Sequence, residues 1–264
     1  MSTALRTGHA DHASMTPGRI ANAYWTEARY AAVRFVRLPA LAVPTLLFPM
    51  LFYVLVGYLF GVFELSDPNA ARYVFTGFAT MAAITPGIFS FGIGLALERE
   101  QGLFTLKRAL PMPPMAALLA STAMSVLAAV GGALVLAVAA LPLGAVALSP
   151  ATLTAVIALV GLGAIPFCAI GLWLGVMLSG RAAPPVVNIA YMAMIYFSGL
   201  FIPLPEAIRV VTLASPAFYL HQLMLPLAGA PGQLLGGVFN HALVLGGTTV
   251  LCLCLAARRL ERAG

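Results

Sequence analysis

Six long apolar runs, separated by short polar or proline-rich connections, limit what this chain can fold into. They cover residues 40–63, 73–97, 115–141, 152–178, 186–204 and 234–257. A helix needs about 20 apolar residues to cross the hydrocarbon core of a bilayer. A soluble fold is excluded because 61% of the residues are hydrophobic and only 8% are charged. The sequence therefore predicts an all-α polytopic membrane protein with six transmembrane helices.

Basic residues are distributed very unequally between the two ends of these runs. Twelve of the 14 lysines and arginines fall on one side, and only Arg72 and Arg209 fall on the other. Cytoplasmic loops are enriched in Lys and Arg, so we expect both termini in the cytoplasm. This placement accounts for the net charge of +6 without nucleic acid as a partner. The excess of arginine over lysine is typical of a GC-rich bacterium, and we expect a multi-pass protein of the bacterial cell (inner) membrane.

The chain begins with a polar stretch followed by an amphipathic segment. We expect residues 1–17 to form a disordered cytoplasmic tail and residues 18–264 to form a single transmembrane domain. In residues 18–38 a helical wheel places Trp25 on an apolar side, and four arginines lie on the other side: Arg19, Arg29, Arg34 and Arg37. Such a helix lies in the membrane interface with its arginines toward lipid phosphates. The alternative is the first turn of a longer span, but Pro39 favours a break.

The connection after the second run carries the densest cluster of charge in the chain. The charged residues are Glu98, Arg99, Glu100, Lys107 and Arg108. Gly102 suits the left-handed conformation that closes a helix, and Phe104 can lie on the apolar side of a short helix that prolines then end. We interpret this connection, called the elbow below, as a surface that contacts another protein. The alternative is an ordinary solvated loop.

The connection between the fifth and sixth runs is apolar but interrupted. Residues 207–214 and 217–225 are two short apolar pieces, each too short to cross a membrane. We expect a re-entrant helical hairpin that dips in from the outer side and caps the bundle, because irregular backbone at membrane depth must be buried by protein. The alternative is an ordinary outer loop.

Several kinds of chemistry lack the residues they need. All eight acidic residues fall in connections or at the ends of runs, whereas an ion-coupled carrier normally keeps a charge inside its bundle. The only lysine, Lys107, follows Leu106 and not the glycine that a phosphate-binding P-loop requires. No histidine pair has the spacing of a zinc site, and no serine or cysteine has a visible base partner. We therefore expect no metal site, no catalytic residue and no enzyme activity.

Three short segments form a distinctive combination. They are residues 98–102 (Glu-Arg-Glu-Gln-Gly), 197–203 (Phe-Ser-Gly-Leu-Phe-Ile-Pro) and 215–219 (Ser-Pro-Ala-Phe-Tyr). Together they resemble the permease subunits of ABC-2 type ATP-binding-cassette transporters, a class that includes daunorubicin-resistance and polysaccharide-export permeases. Leu103 is a departure, because the family commonly has Thr or Ser after the elbow glycine.

The resemblance implies partners as well as a fold. The elbow would contain a coupling helix that docks on separate ABC ATPase (nucleotide-binding) subunits, and residues 18–38 would be the interface helix. The outer hairpin would close the exit, and its outer gate would consist of Phe201, Pro203, Pro205, Ser215, Pro216 and Tyr219. Two permeases would pair, either as a homodimer or with a sister permease, among membrane lipids. ATP and Mg would bind to the ATPase, and this chain would bind no cofactor.

These inferences predict the membrane half of an ATP-driven exporter. The scarcity of charge in the apolar runs suggests an apolar or amphipathic cargo: a drug, a lipid or a lipid-linked glycan. Multidrug resistance and envelope assembly would both fit such a cargo. The alternatives are a secondary carrier, or a non-transporting membrane protein or enzyme.

Overall fold

The computed structural model describes residues 17–37, 39–59, 61, 67–103, 114–141, 148–201, 209–230 and 236–262. Within these ranges the chain is helical and contains no strand, which confirms the all-α prediction. The α-helices are α1 Pro17–Arg37, α2 Pro39–Phe52, α3 Pro68–Thr85, α4 Gly94–Glu100, α5 Pro114–Ala140, α6 Pro150–Met177, α7 Ala183–Tyr196, α8 Arg209–Leu213, α9 Pro216–Leu227 and α10 Gly237–Arg262. Two π-helical segments, Tyr53–Leu59 and Pro86–Ile93, extend α2 and join α3 to α4.

Four of the described helical stretches are long and apolar enough to cross a membrane. They are Pro68–Glu100, Ala117–Ala140, Pro150–Met177 and Gly237–Arg259. The bent pair formed by α1 and α2 would be a fifth if it is one broken span. Helix α7 has 14 residues and is about 21 Å long, which is short of the ~30 Å hydrocarbon core. The chain is a multi-pass membrane protein, while the number of six spans stays a prediction.

Proline and capping side chains decide where several helices begin. Pro39 opens α2, and the two helices around it are bent by 63°, so the predicted break at this residue is confirmed. Asp67 caps α3 by accepting hydrogen bonds from two backbone N–H groups, and Pro68 takes the first helical position. Ser149 and Pro150 repeat this arrangement at the start of α6. Both pairs satisfy N–H groups that a helix start otherwise leaves unpaired.

The helical stretch Pro68–Glu100 is the central element of the bundle. In its most apolar window 83% of the residues are buried, against 17% for the last helix. Pro86 has no N–H to donate, and the π-helical segment begins at this residue. From the sequence, Pro86 and Gly87 predict a kink or a local break in this run. The structure has a π-helical segment at this place, inside one helical stretch that continues to Glu100.

Glycine lets this central element contact α6 backbone to backbone. A Cβ atom on Gly171 would overlap the carbonyl oxygen of Gly87, and one on Gly175 would overlap that of Gly92. Small residues permit such close approach between membrane helices. Gly171 and Gly175 therefore serve packing inside the bundle, as the sequence pattern indicates.

Candidate functional site

The first three charged residues of the elbow, Glu98, Arg99 and Glu100, form the last turn of α4. Backbone N–H groups of Gln101 and Gly102 donate to the carbonyl oxygens of Leu97 and Arg99. Gly102 has a φ of 72°, so it adopts the left-handed conformation that we predicted for the residue closing this helix. Helix α4 ends at Glu100, and Phe104, Lys107 and Arg108 lie outside the described residues. Their role in docking stays a prediction.

Glu98 connects the elbow to α1. Its carboxylate forms an ion pair with the guanidinium of Arg34, and the exposed fractions of the two side chains are 14% and 32%. Arg34 also lies over the ring of Phe91, with 5.9 Å between the guanidinium carbon and the ring centroid. Burial lowers the pKa of Arg34 from its usual value, and the charge of Glu27 acts in the opposite direction. This arginine therefore faces the bundle, whereas we expected it to point toward lipid headgroups.

Arg99 connects the elbow to the end of α6. Its guanidinium donates to the carbonyl oxygen of Gly175, at 3.2 Å, and to that of Val176. These carbonyls belong to the last turn of α6, where no further residue of the helix can pair with them. A cation at this end also complements the negative end of the helix dipole. Arg99 is thus a cap for the helix that packs most closely on the central element.

Glu100 connects the elbow to the turn between α6 and α7. Its carboxylate oxygen lies 3.8 Å from Nε of Arg181, and both side chains are largely solvated. Such a pair contributes less than about 1 kcal/mol. Gly180 keeps this approach open, because a Cβ atom there would overlap the carboxylate of Glu100. The three consecutive charges of the elbow thus contact three different elements.

Helix α1 presents aromatic side chains outward. Trp25 and Tyr30 are 71% and 68% exposed, and Ala31, Ala32 and Phe35 pack against the inner apolar cluster that contains Phe91 and Leu95. Arg29 and Arg37 are exposed, and Arg19 lies in the first turn of the helix. Exposed aromatic side chains together with exposed arginines are features of an interfacial helix.

At the opposite end of the bundle, α9 and the turn after α7 pack together. The hydroxyls of Ser198 and Ser215 are 2.6 Å apart, and Tyr219 donates to the carbonyl oxygen of Leu213 at 2.8 Å. The ring of Phe201 packs against that of Phe78 at a tilt of 42°, with 4.7 Å between ring centroids. Pro216 takes the first position of α9. Pro203 and Pro205, the other members of the expected outer gate, lie outside the described residues.

Sequence reasoning missed the residues of α3 that hold this group of contacts together; the group is called the outer cluster below, after the gate expected there. Tyr73 donates to the carbonyl oxygen of Gly199, and the Thr76 hydroxyl lies 3.2 Å from Nε2 of His221. His221 looked isolated in the sequence, yet it is fully buried against Tyr73. The available signal was the spacing of Tyr73 and Thr76, two polar groups one helical turn apart at the start of an apolar run. In the described part of the chain no group of three acidic, His or Cys side chains comes together as metal ligands would.

Comparison with known proteins adds one positive finding. A family model described as ABC-2 type transporter matches residues 22–227, which is more than half of the chain. The matched stretch includes most of α1, the elbow and the outer cluster. The comparison with curated proteins gave no match.

Proposed function

Because the chain belongs to the ABC-2 type transporter family, we propose that it is the permease of an ATP-driven exporter worked by separate ATPase subunits. Its place as a permease component of an ABC transporter follows from the family, whose members are generally non-catalytic and generally work with ABC ATPase subunits. The outward direction, the cargo and the way in which ATP hydrolysis acts on this chain are our proposals. ATP and Mg would bind to the ATPase.

The observation that carries the proposal is the set of contacts made by the elbow charges. Glu98 pairs with α1, Arg99 caps α6, and Glu100 contacts the turn before α7. A displacement of the elbow would therefore act on three elements at once. The residues that would receive that displacement from the ATPase are Gly102, Phe104, Lys107 and Arg108, with Phe104 as the apolar anchor and Gly102 as the hinge.

The outer cluster would be the part of the bundle that moves in response to a displaced elbow. Its hydrogen bonds join α3, the turn after α7 and α9, so separating these elements would open the outer face. In this proposal α7 is the fifth of six spans, and α8 with α9 forms a hairpin that re-enters from the outer side. Two such permeases would pair, with both termini in the cytoplasm of a bacterial inner membrane. The transmembrane domain would begin at residue 18 and follow a cytoplasmic tail.

The cargo would be apolar or amphipathic: a drug, a lipid or a lipid-linked glycan. Apolar side chains cover much of the described surface, and within the four long apolar helices the charged side chains lie only near the ends. A path through such a bundle offers few ligands to a small inorganic ion, which needs ligands that replace its hydration shell. Multidrug resistance is one physiological role that fits this cargo.

Reconstitution tests the proposal. The chain and the ATPase that co-purifies with it are placed in proteoliposomes, and transport of lipophilic drugs and lipid-linked sugars is measured with and without ATP. We expect transport that requires both ATP and the ATPase. Transport driven by an ion gradient without the ATPase would instead identify a secondary carrier.

A further inference from the structure

Tyr191, on α7, contacts the central element at the place where it widens into the π-helical segment. Its hydroxyl lies 3.0 Å from that of Thr85, the last residue of α3. Its ring meets that of Phe89 edge to face, with 4.7 Å between ring centroids. Thr85 and Phe89 lie on either side of Pro86, where the π-helical segment begins. Tyr191 therefore contacts the first wide turn at both of its ends.

The direction of the hydrogen bond between Tyr191 and Thr85 follows from a second contact of Thr85. A threonine hydroxyl has one proton, and Thr85 donates it to the carbonyl oxygen of Met81 at 2.7 Å. The hydroxyl of Tyr191 is therefore the donor to Thr85. Tyr191 is 1% exposed and Thr85 is 5% exposed, so water does not compete for this bond. Replacing Tyr191 by phenylalanine thus removes the bond without leaving a buried donor unpaired.

The relative position of Thr85 and Phe89 depends on the width of the turn between them. A π-helical turn pairs an N–H group with the carbonyl five residues back, instead of the four of an α-helix. Residues four apart lie one above the other in an α-helix, and a wider turn offsets them. A change in the width of this turn would therefore alter both contacts of Tyr191.

The segment is held differently by its two neighbours. On the side of α6 the contact is between backbones, because the carbonyl oxygen of Gly87 faces Gly171 with no room for a Cβ atom. Such a contact blocks closer approach but contains no directional bond. On the side of α7 the hydrogen bond and the ring contact of Tyr191 both oppose separation. Helix α7 is therefore held to the segment more specifically than α6 is.

Helix α7 leads directly to the outer cluster. Ser198 follows Tyr191 by seven residues and donates to the carbonyl oxygen of Met194, which lies in α7. The hydroxyl of Ser198 also lies 2.6 Å from that of Ser215, just before α9. A displacement of α7 would therefore move one partner of the contact that joins the turn after α7 to α9.

We propose that Tyr191 is a positioning residue of the transporter, which makes α7 follow the π-helical segment when the elbow moves. The inference rests on the proposed function, because it names the contact that carries a displacement of the elbow to the outer cluster. The displaced elbow turns α4 and the π-helical segment, and Tyr191 moves α7 with them. Ser198 then separates from Ser215. Tyr191 acts through this separation and not by contact with the cargo.

Disulfide formation at the outer cluster measures this movement. Cysteines replace Ser198 and Ser215 in a chain whose three native cysteines are alanine, and the chain is reconstituted with its ATPase. The rate of disulfide formation under a mild oxidant is compared with and without ATP. ATP should slow the reaction, because the two positions separate. Tyr191→Phe should abolish most of this ATP effect while ATP hydrolysis continues.

Export per ATP hydrolysed is the second readout, and it is measured without the added cysteines. Tyr191→Phe should lower it by about 2- to 13-fold, the factor that corresponds to about 0.5–1.5 kcal/mol for one hydrogen bond. Thr85→Val removes the acceptor of the same bond, and the double variant should lose no more than Thr85→Val alone, because both changes remove one contact. Thr85→Ser keeps the hydroxyl and should export like the wild-type chain.

Tyr196→Phe is the matched control. Tyr196 lies on the same helix and is 66% exposed, so loss of its hydroxyl should leave both readouts unchanged. A wild-type ATP effect and wild-type export per ATP in Tyr191→Phe would overturn the assignment. An equal loss in Tyr196→Phe would overturn it as well.

The wild-type chain keeps this inference distinguishable from the proposed function. ATP-dependent export by the wild-type chain, with unchanged behaviour of Tyr191→Phe, would refute the inference alone. An ATP effect on the disulfide that Tyr191→Phe abolishes, without export of any cargo, would keep the inference and refute the exporter. If ATP changes neither disulfide formation nor transport in the wild-type chain, both are refuted.

Discussion

Exchanging the charges of Arg34 and Glu98 tests whether α1 moves with the elbow. The two side chains are 32% and 14% exposed, so the pair lies between a solvated and a buried ion pair. Solvated pairs contribute up to about 1 kcal/mol, and breaking a buried pair costs about 3–5 kcal/mol. We therefore assign the contact about 1–3 kcal/mol, which lies between those limits.

The single variants Arg34→Glu and Glu98→Arg place like charges against each other. If the contact transmits the displacement of the elbow, each should lower the amount of cargo exported per ATP hydrolysed. A coupling free energy of 1–3 kcal/mol corresponds to a change of about 5- to 150-fold. The double variant restores opposite charges at the two positions, so it should recover much of the lost export. Export and ATP hydrolysis are measured on the same proteoliposomes.

Reversal of an exposed charge elsewhere, Arg258→Glu on α10, is the matched control and should leave export per ATP unchanged. Single variants that export like the wild-type protein would refute the link between α1 and the elbow. The link would also be refuted if the loss of export per ATP in the double variant equalled the product of the losses in the two single variants.

Three further predictions concern packing, the elbow and the outer cluster. Gly171→Ala should destabilise the protein by about 1–3 kcal/mol, because the new methyl group overlaps the backbone that faces it. Thermal unfolding should show this loss of stability. The control Gly246→Ala should show none, because nothing lies within 4 Å of a Cβ atom there. Gly102→Ala meets no atom within 4 Å but strains a φ of 72° by about 1 kcal/mol; ATP hydrolysis should continue while export falls, and unchanged export would argue against a hinge there. The hydroxyls of Ser198 and Ser215 are 2.6 Å apart, so a cysteine pair at these positions should form a disulfide that stops export until a reductant is added; export by the oxidised variant would exclude movement at this contact.

The helices themselves follow closely from the sequence. The run predicted at residues 115–141 is helix Pro114–Ala140, and the run at 152–178 is helix Pro150–Met177. Proline and serine mark their starts, and apolar length sets their extent, so local chemistry is sufficient. The fifth run was predicted too long, at 186–204, because helix Ala183–Tyr196 ends before Gly199, which has a φ of 65°. The apolar run continues past that turn, so hydropathy alone does not indicate where the helix ends.

The contacts of the elbow could not be predicted, because they join distant parts of the chain. A helical wheel places Arg34 on the polar side of α1 but does not show which element faces that side. Its partner, Glu98, is 64 residues away in the sequence. The same holds for Arg99, whose acceptors are backbone carbonyls at the end of α6 and carry no sequence signature. The left-handed conformation of Gly102 was predictable, because the local sequence determines which residue closes a helix.

The central claim, that a separate ATPase works this chain through its elbow, is tested most directly by photo-crosslinking. A benzoylphenylalanine at position 104 is compared with one at Phe239, an exposed position near the start of α10. Both variants are irradiated within the intact transporter in membranes. The account predicts a covalent adduct between position 104 and an ATPase subunit, and none from position 239. Absence of that adduct, or labelling of position 104 by a membrane-impermeant reagent from outside the cell, would contradict it.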